Sequence, residues 1–421
     1  MRLVAESSKL RGSVRIPGSK SHTIRAVVIA SLAEGTSRIR EPLDSLDTAA
    51  CVGVCRGLGA RIELGREWAV TGTAGKLACP ENVLDVGNSG TTLYVTLSTA
   101  ALGAGWAVFT GDEQTRSRPA GPLLDALRGL GAEAFSTRGN GRAPLVVRGP
   151  LVGGRVAIEC PTSQYLTSLL LNCPLAQGES EIEVPKLNEQ PYVEMTLGWL
   201  DGQGIGYERE GFRRFRVHGG QGYRAFDREI PGDFSSATFF LCAAAATGSE
   251  VTLLGLDRAD TQGDKAVVEM LAAMGAEVEW LPGGVRIRGR GLKGGEFDLN
   301  ATPDALPAMA VVGCLASGET RLGNVPQARI KETDRLAVMR QELQKMGGRL
   351  RELPDGLVIQ GGALRGAPVD GHDDHRVVMA LAVAGLAASG RTEVSGAEAA
   401  AVTFPTFIEL MTALGARIRQ A

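Results

Sequence analysis

The sequence predicts an α/β fold of two similar pseudo-threefold domains, each built from three copies of a βαβαββ-type unit. Three observations favour this fold. A helix end, a glycine and a strand recur six times, with intervals of 72, 73, 71, 72 and 68 residues between the glycines. Most copies continue into a hairpin, for example with Pro282-Gly283 or Asp355-Gly356 at its turn. The last copy stops before its second strand, whereas the chain opens with strand-like residues and no preceding helix.

The repeated glycines follow the last apolar residue of each predicted helix, a position typical of a left-handed helix C-cap. They are Gly59, Gly131, Gly204, Gly275, Gly347 and Gly415. Six matches at nearly equal spacing indicate internal repetition, and a strand-rich unit that ends in a hairpin suits a globular domain better than a solenoid.

The two ends of the chain are predicted to share a domain, because the strand at the start of the chain supplies the second strand that the last repeat lacks. Crossings between the domains then fall near Pro17-Gly18 and Pro231-Gly232. We predict a first domain over residues 19–230 and a second over residues 1–18 and 231–421. Since ligand sites favour domain interfaces, we expect the active site in the cleft between them.

Composition excludes several classes of protein. The chain has 421 residues, 44% hydrophobic and 22% charged, which is typical of a soluble protein with more than one domain. A net charge of −2 argues against nucleic acid or an acidic membrane surface as the main partner. The longest apolar run, from Val377 to Ala388, is shorter than a membrane span. Seven cysteines without a Cys-x-x-Cys pair predict free thiols in the cytoplasm, and we expect no bound metal.

A candidate anion site lies in the stretch Gly18-Ser19-Lys20-Ser21, before an apolar helix predicted over Ile24 to Leu32. Ser19 or Ser21 is placed to cap this helix, with Lys20 in its first turn and Arg25 one turn further on. A helix N-terminus with a lysine beside it binds anions well. The alternative is an ordinary serine cap with an incidental surface lysine.

Three further polar stretches precede apolar helices or lie in loops of the first domain. They are Gly87-Asn88-Ser89-Gly90-Thr91, the loop with Arg116 and Arg118, and Pro161-Thr162-Ser163-Gln164-Tyr165. The first and third present hydrogen-bond donors suited to an oxyanion. A turn with a simple cap, or a solvated charged loop, remains the alternative for each.

The second half of the chain carries the candidate acid–base groups. Asp304 stands at the start of an apolar helix, and residues 329–335 are charged on nearly every position. On a helix, Lys331 and Arg335 would share a face with Glu332 beside them, although a surface salt-bridge lattice is an alternative. Residues 373–376 precede a helix that is apolar on almost all sides. Cations from both halves suit two anionic substrates that carry phosphate and carboxylate groups.

Together these motifs resemble the 5-enolpyruvylshikimate-3-phosphate synthase family of enolpyruvyl transferases over essentially the full chain. The motifs that carry the resemblance are Gly18-Ser19-Lys20-Ser21 with Arg25, Gly87-Asn88-Ser89-Gly90-Thr91, Arg118-Pro119, Ser163-Gln164, Lys331-Glu332-Thr333-Asp334-Arg335 and Asp374-His375-Arg376. The resemblance implies transfer of the enolpyruvyl group of phosphoenolpyruvate to the 5-hydroxyl of shikimate 3-phosphate, with release of phosphate. It also implies a monomer without a cofactor, and Gly90 implies inhibition by glyphosate.

The resemblance also assigns residues to each substrate. Shikimate 3-phosphate would be held by Lys20, Ser21, Arg25, Thr162, Ser163, Gln164, Tyr192, Asp304, Gln327 and Lys331. Phosphoenolpyruvate would be held by Lys20, Gly90, Arg118, Gln164, Arg335 and Arg376. Asp304 would accept or orient the hydroxyl proton, and Glu332, with Lys20 nearby, would protonate the methylene carbon.

Four positions depart from the family pattern. Tyr94 replaces an arginine, Val402 a common lysine, and Gln327 and Glu189 an asparagine and a serine that commonly touch shikimate 3-phosphate. Tyr94 implies weaker phosphoenolpyruvate binding, compensation by Arg116 or a different substrate.

Three alternatives therefore stay open. A family member could act on a shikimate relative in a secondary pathway. The chain could also be a non-catalytic anion-binding protein, although intact Lys20, Asp304, Glu332 and Arg376 argue against this. An enzyme that acts on UDP-N-acetylglucosamine is disfavoured, because the loop from Gly111 to Pro122 has no cysteine and Lys20 is followed by Ser21 instead of asparagine.

Overall fold

The computed structural model describes residues 1–421 and divides into two compact units. The N-terminal unit comprises Gly18–Ile230, and the C-terminal unit comprises Met1–Pro17 together with Pro231–Ala421. None of the helices combines the length and the apolar character that crossing a bilayer requires.

The chain forms 24 strands, which are short and spread along its whole length. The first fourteen are β1 (Arg2–Glu6), β2 (Arg11–Arg15), β3 (Thr36–Arg40), β4 (Arg61–Glu63), β5 (Glu67–Thr71), β6 (Leu84–Asp85), β7 (Ala107–Thr110), β8 (Glu133–Ser136), β9 (Leu145–Arg148), β10 (Gly154–Ala157), β11 (Ser180–Glu183), β12 (Tyr207–Glu210), β13 (Arg214–Val217) and β14 (Asp227–Glu229). The others are β15 (Glu250–Leu254), β16 (Glu277–Leu281), β17 (Gly284–Arg288), β18 (Glu296–Asp298), β19 (Glu319–Gly323), β20 (Arg349–Leu353), β21 (Gly356–Gln360), β22 (Pro368–Asp370), β23 (Arg391–Ser395) and β24 (Arg417–Gln420).

Thirteen α-helices alternate with these strands. They are α1 (Lys20–Leu32), α2 (Leu46–Gly57), α3 (Gly90–Ala100), α4 (Glu113–Ser117), α5 (Gly121–Gly129), α6 (Ser163–Asn172), α7 (Gln190–Gln203), α8 (Phe234–Thr247), α9 (Ala266–Ala273), α10 (Leu306–Leu315), α11 (Arg335–Lys345), α12 (His375–Ala387) and α13 (Phe407–Ala413). Short 3₁₀ helices cover Cys173–Leu175, Gly263–Lys265, Pro303–Ala305, Pro326–Ile330 and Ala397–Val402.

The strands form six four-stranded sheets that share one topology. In each sheet one outer strand runs parallel to its neighbour. The other two pairs of neighbouring strands in the sheet are antiparallel. The N-terminal unit holds β14-β3-β5-β4, β6-β7-β9-β8 and β10-β11-β13-β12. The C-terminal unit holds β2-β15-β17-β16, β18-β19-β21-β20 and β22-β23-β1-β24. The repeated α/β fold predicted from the sequence is therefore confirmed.

The first strand of the chain completes the last sheet. Strand β1 lies between β23 and β24, with Ala5 opposite Thr392 on one side and Ile418 on the other. A second feature of the topology is an exchange between the first and fourth repeats. Strand β2 precedes α1 but pairs with β15, whereas β14 precedes α8 but pairs with β3.

The six repeated glycines explain why the pattern is visible in the sequence. All six have a positive φ, between 69° and 105°, and each stands between the end of a helix and the start of a strand. Because this left-handed conformation is inexpensive only for glycine, every repeat needs the same residue at the same point.

Three helices in each unit are buried on nearly all sides, because their sequences are largely apolar. They are α1, α3 and α6 in the N-terminal unit and α8, α10 and α12 in the C-terminal unit. In α1, for example, every residue from His22 to Leu32 is buried. Most of the polar stretches identified in the sequence lie at the N-terminal ends of these buried helices, namely α1, α3, α6, α10 and α12. Arg118 and residues 329–335 instead precede or begin α5 and α11.

Two local predictions were wrong. Ser19 occupies the N-cap position of α1, but its side chain makes no capping hydrogen bond. Lys331 and Glu332 do not lie on a helix with Arg335, because α11 begins only at Arg335. Asp334 caps that helix by accepting a hydrogen bond from the backbone N–H of Ala337, so the residues before it form a bend.

Candidate active site: a polar cluster in each unit

The start of α1 holds a partly buried ion pair. The Nζ atom of Lys20 lies 3.0 Å from Oδ2 of Asp47, which stands in the first turn of α2. The other carboxylate oxygen of Asp47 and the hydroxyl of Ser19 are buried without a hydrogen-bond partner. Because buried polar atoms normally have partners, this helix start is suited to a polar ligand. The sequence analysis did not predict the role of Asp47.

Arg25 ties three helices of the N-terminal unit together. Its guanidinium donates to the carbonyl oxygens of Ser21 and Tyr192, at 2.9 Å each, and to the hydroxyls of Thr196 and Thr167, at 3.0 and 3.2 Å. Burial lowers the pKa of Arg25 to about 10. Ser21, Arg25 and Tyr192, which the sequence analysis assigned to one substrate, therefore lie together.

The starts of α3 and α6 meet beside Arg118. Arg118 is 7% exposed, and a Cβ atom built on Gly90 would overlap its guanidinium. The side-chain amide of Gln164 donates to the hydroxyl of Thr91 at 3.1 Å. Gly90, Arg118 and Gln164, three of the residues predicted for phosphoenolpyruvate, are thus brought together, and only glycine leaves room for Arg118 in this position.

The start of α6 is occupied by a carboxylate. Oε2 of Glu189 accepts hydrogen bonds from the hydroxyl of Thr162 at 3.2 Å, and from the amide and hydroxyl of Ser163 at 3.0 and 2.8 Å. Glu189 is only 2% exposed. The sequence analysis noted Glu189 as a departure from the family pattern but did not predict that it would engage Thr162 and Ser163.

Tyr94, the most conspicuous departure, packs inside the N-terminal unit. It is 3% exposed, and its ring stands edge-on to that of Tyr165, with 5.0 Å between the centroids. Burial, together with the neighbouring Tyr94, raises the pKa of Tyr165 well above its ordinary value. Arg116, considered as a substitute cation, donates a hydrogen bond to the carbonyl oxygen of Gly111 in the loop that contains the short helix α4.

The cluster of the C-terminal unit is centred on Arg335, which is 1% exposed. Its guanidinium contacts Asp374 at 2.8 and 3.1 Å, Asp304 at 2.8 Å and Glu332 at 2.6 Å. Burial alone would lower the pKa of Arg335, but the charges of Asp374, Glu332 and Asp304 outweigh it and raise the pKa. The guanidinium therefore stays charged while fully enclosed.

A second arginine shares one of these carboxylates. Arg376 is 4% exposed, and its Nη2 atom lies 2.9 Å from Oδ2 of Asp304. Burial would lower the pKa of Arg376, but the charge of Asp304 helps to raise it. The two oxygens of Asp304 are thus divided between Arg335 and Arg376, and the Nε atom of Arg376 is buried without a hydrogen-bond partner.

Asp374 supports this cluster from the start of α12. Its carboxylate accepts hydrogen bonds from the backbone N–H of Arg376 at 2.9 Å and from the hydroxyl of Thr333 at 3.0 Å, besides those from Arg335. Ligand atoms of Glu332, Asp374 and His375 also lie within 4.8 Å of one another. Because Arg335 contacts both carboxylates, the group already holds a balancing cation.

The two remaining predicted residues differ in their surroundings. Lys331 is half-buried in the bend before α11. Gln327 is 2% exposed, and its amide donates to the carbonyl oxygen of Asn300 at 2.9 Å while its own oxygen is buried without a partner.

Comparison with known proteins gives a consistent result. The family model of EPSP synthase (3-phosphoshikimate 1-carboxyvinyltransferase) matches residues 4–411. The chain is 57% identical over 419 residues to the 3-phosphoshikimate 1-carboxyvinyltransferase of Acetivibrio thermocellus and 54% identical to that of Ruminiclostridium cellulolyticum, covering 99% of each chain in both pairs. It is 46% identical over 423 residues to the protein of the same name from Methanocella arvoryzae, covering 99% of this chain and 100% of that one.

A solved structure agrees over the full length. The EPSP synthase from Acinetobacter baumannii superposes with a TM-score of 0.84 at 28% sequence identity, and the match covers 100% of both chains. The sequence relatives and the structural neighbour therefore point to one family, with the sequence motifs, the repeated fold and the two polar clusters all present. The chain belongs to the EPSP synthase (3-phosphoshikimate 1-carboxyvinyltransferase) family.

Proposed function

We propose that the polar clusters of the two units contribute residues to one reaction. The chain is a transferase of the shikimate pathway, which leads to the aromatic amino acids. It transfers the enolpyruvyl group of phosphoenolpyruvate to the 5-hydroxyl of shikimate 3-phosphate and releases phosphate. The observation that supports the assignment best is the enclosed group of Arg335, Asp304 and Glu332, which combines a fixed cation with two candidate proton carriers.

Shikimate 3-phosphate is assigned to donors at the starts of α1 and α6 and around Arg25. The residues in this role are Lys20, Ser21, Arg25, Thr162, Ser163, Gln164 and Tyr192, with Asp304, Gln327 and Lys331 from the C-terminal unit. Helix N-termini favour anions because their first N–H groups are unpaired and the helix dipole is positive there. Arg25 acts by fixing the backbone of Ser21 and Tyr192, since most of its donors are already used within the protein.

Phosphoenolpyruvate is assigned to Lys20, Gly90, Arg118, Gln164, Arg335 and Arg376. Arginine binds phosphate and carboxylate groups through two parallel hydrogen bonds, which lysine cannot match. Without substrate, Arg335 and Arg376 share the carboxylate of Asp304. An incoming anion that engages these arginines would weaken their hold on Asp304, so the carboxylate becomes a better proton acceptor when the substrate is bound.

The proton transfers follow from the chemistry of an addition and an elimination. Glu332 donates a proton to C3 of phosphoenolpyruvate, turning its methylene into a methyl group, while the 5-hydroxyl adds to C2 and gives its proton to Asp304. Glu332 then takes a proton back from the methyl group, and phosphate departs with the proton held by Asp304, which restores the double bond and returns both carboxyl groups to their starting states. A positioned acid or base of this kind contributes about 10²–10⁴-fold to the rate.

Further properties belong to the same proposal. Gly90 lets the Arg118 guanidinium lie against the start of α3, which supports inhibition by glyphosate, an anion that would compete with phosphoenolpyruvate. Seven unpaired cysteines, six of them buried, support a cytoplasmic location. We also infer a monomer, which light scattering of the purified chain would test.

The experiment that tests the proposal measures phosphate release with both substrates and with each alone. Glu332→Gln removes the proton donor but keeps the shape of the side chain, so we expect at least a 100-fold loss of kcat. Glu409→Gln, a matched change at an exposed position of α13, should leave kcat unchanged. Equal rates in the Glu332 and Glu409 variants would refute the role given to Glu332.

A further inference from the structure

The carboxylate of Glu189 uses donors that the proposed function assigns to a substrate. Its Oε2 atom accepts from the amide of Ser163 at 3.0 Å, the hydroxyl of Ser163 at 2.8 Å and the hydroxyl of Thr162 at 3.2 Å. A carboxylate is favoured at this point because the N-terminus of α6 carries partial positive charge. The protein thus supplies its own anion where the sequence motif indicates an external one.

The carboxylate of Glu189 and a substrate phosphate cannot both accept the hydrogen bonds offered at the start of α6, because too few hydrogens are available. A hydroxyl donates one hydrogen and a backbone amide donates one, so the hydroxyls of Thr162 and Ser163 and the backbone amide of Ser163 together offer three hydrogens at the start of α6. All three point to one oxygen of Glu189. A phosphate group could receive them only if Glu189 gave them up, and a phosphate dianion held beside a buried carboxylate would be repelled.

The backbone holds Glu189 in this position at a conformational cost. Glu189 has φ 61° and ψ 41°, the left-handed region that non-glycine residues seldom occupy. The preceding residue, Asn188, is held to the segment between β10 and α6 by two hydrogen bonds. Its backbone N–H donates to the carbonyl oxygen of Cys160, and its side-chain amide donates to that of Pro161, both at 3.1 Å. Such residues cluster at functional sites, where the surrounding structure maintains the strain.

The N-terminal unit contains a second instance of the same arrangement. Lys20, also assigned to the substrates, is neutralised by the buried carboxylate of Asp47 at 3.0 Å. Two anion-binding positions of this unit, Lys20 and the start of α6, are therefore occupied by the protein's own carboxylates. Glu189 differs from Asp47 in that it engages three donors at once, the hydroxyls of Thr162 and Ser163 and the backbone amide of Ser163.

We propose that Glu189 is an internal anion that occupies the subsite for the phosphate of shikimate 3-phosphate and is displaced when that substrate binds. This inference rests on the assignment of Thr162 and Ser163 in the proposed function. It makes Glu189 a specificity-determining residue, because only a ligand that competes with a carboxylate for these donors gains access to the subsite. The apparent affinity for shikimate 3-phosphate is lowered by the fraction of molecules in which Glu189 holds the subsite.

Calorimetric titration with shikimate 3-phosphate, and separately with inorganic phosphate, tests the proposal. Glu189→Gln keeps the size of the side chain but removes its charge, and Glu189→Ser removes the occupant. We expect both variants to bind shikimate 3-phosphate at least ten-fold more tightly than the unmodified chain. Glu194→Gln, which removes a charge from an exposed pair with Arg209 in α7, the helix that follows Glu189, should leave the affinity unchanged. Thermal unfolding shows whether Glu189→Ser folds; Glu189→Gln keeps the test valid if it does not.

Ser163→Ala separates failure of this inference from failure of the proposed function. If Ser163→Ala weakens binding of shikimate 3-phosphate and Glu189→Gln tightens it, both hold. If Ser163→Ala weakens binding while the folded Glu189 variants bind equally or more weakly, the internal-anion role is overturned and the substrate assignment stands. If Ser163→Ala leaves the affinity unchanged, Ser163 does not hold the phosphate and both are overturned.

Discussion

The hydroxyl of Tyr94 donates a hydrogen bond to the carbonyl oxygen of Pro119 at 2.8 Å. Tyr165 donates to the same oxygen at 2.5 Å, so two buried tyrosines hold the residue that directly follows Arg118. Tyr94 therefore does not leave a vacant place where the family pattern has an arginine. It fixes the backbone next to Arg118, whose guanidinium lies beside Gly90, so we expect its effect on phosphoenolpyruvate binding to be indirect.

The first prediction concerns Tyr94→Phe, which removes one of the two hydrogen bonds to Pro119. A hydrogen bond of this kind contributes about 0.5–1.5 kcal/mol, so we expect KM for phosphoenolpyruvate to rise by about two- to ten-fold. The KM for shikimate 3-phosphate should change little, and steady-state kinetics with each substrate varied in turn measures both.

A matched control for this variant is Tyr223→Phe. Tyr223 is also buried and donates to a backbone carbonyl oxygen, that of Leu171, at 2.8 Å, but it has no contact with the turn at Arg118. Both variants should lower Tm by similar amounts. A KM for phosphoenolpyruvate that rises equally in both would mean that Tyr94 has no special connection to Arg118.

The second prediction concerns Gly90→Ala. A Cβ atom here overlaps the Arg118 guanidinium, so the arginine must move away from the start of α3. Losing a charge-assisted hydrogen bond costs about 1.5–3 kcal/mol, which corresponds to about a ten- to hundred-fold higher KM for phosphoenolpyruvate. Inhibition by glyphosate should weaken in parallel.

Gly53→Ala provides the control for an added methyl group. Gly53 lies in the exposed face of α2 with no atom near its potential Cβ, so alanine should stabilise the helix by up to about 1 kcal/mol and leave the kinetics unchanged. An unaltered KM for phosphoenolpyruvate in Gly90→Ala would show that Arg118 does not bind that substrate from this position.

The third prediction concerns Asp374→Asn. Asparagine retains the capping ability of this residue at the start of α12 but removes the negative charge that faces Arg335. The guanidinium then loses the partner that fixes its plane, and we expect a loss of about 1–3 kcal/mol of unfolding free energy and at least a ten-fold fall in kcat/KM for phosphoenolpyruvate.

Asp334→Asn makes the same exchange at the start of α11. Asp334 also caps a helix and pairs with an arginine, Arg329, but it is 37% exposed, and pairs of this kind contribute little to stability. This variant should keep its kcat/KM. The role of Asp374 in orienting Arg335 would be refuted by equal kinetics in the two variants.

The fourth prediction concerns the dependence of stability on pH at Glu342. Burial alone would raise the pKa of Glu342, but hydrogen bonds from His372, Lys345 and the backbone N–H of Asp370 outweigh it and lower the pKa below 4.5. The carboxylate therefore stabilises the folded chain above that pH, and the contribution is lost as the pH falls through the lowered pKa. Glu342→Gln should be less stable than the unmodified chain at pH 7.

Thermal unfolding of both proteins between pH 7 and pH 3 measures this contribution. The difference in Tm between them should shrink as the pH falls below about 4.5. Glu409→Gln, at an exposed position, should track the unmodified chain throughout. A constant difference between the Glu342 variant and the unmodified chain at every pH would contradict a lowered pKa.

Local signals explain which features could be predicted from the sequence. The glycine after each helix reports a backbone conformation that depends on that residue alone, so the repeats were visible without a structure. The bend before α11 was missed because charges spaced three and four apart fit a helix equally well. The engagement of Glu189 with Ser163, and of Lys20 with Asp47, joins residues that are 26 and 27 positions apart, and no local pattern specifies such pairs.

The most direct test of the proposed reaction is identification of the product formed from both substrates in D₂O. We predict one phosphate released for each 5-enolpyruvyl ether of shikimate 3-phosphate, with deuterium in its methylene group, because a methyl group forms and loses a hydrogen during each turnover. Nuclear magnetic resonance of the purified product measures the position of the ether and the deuterium content together. Phosphate release without this ether, or an ether with no deuterium, would contradict the addition–elimination reaction assigned to Asp304 and Glu332.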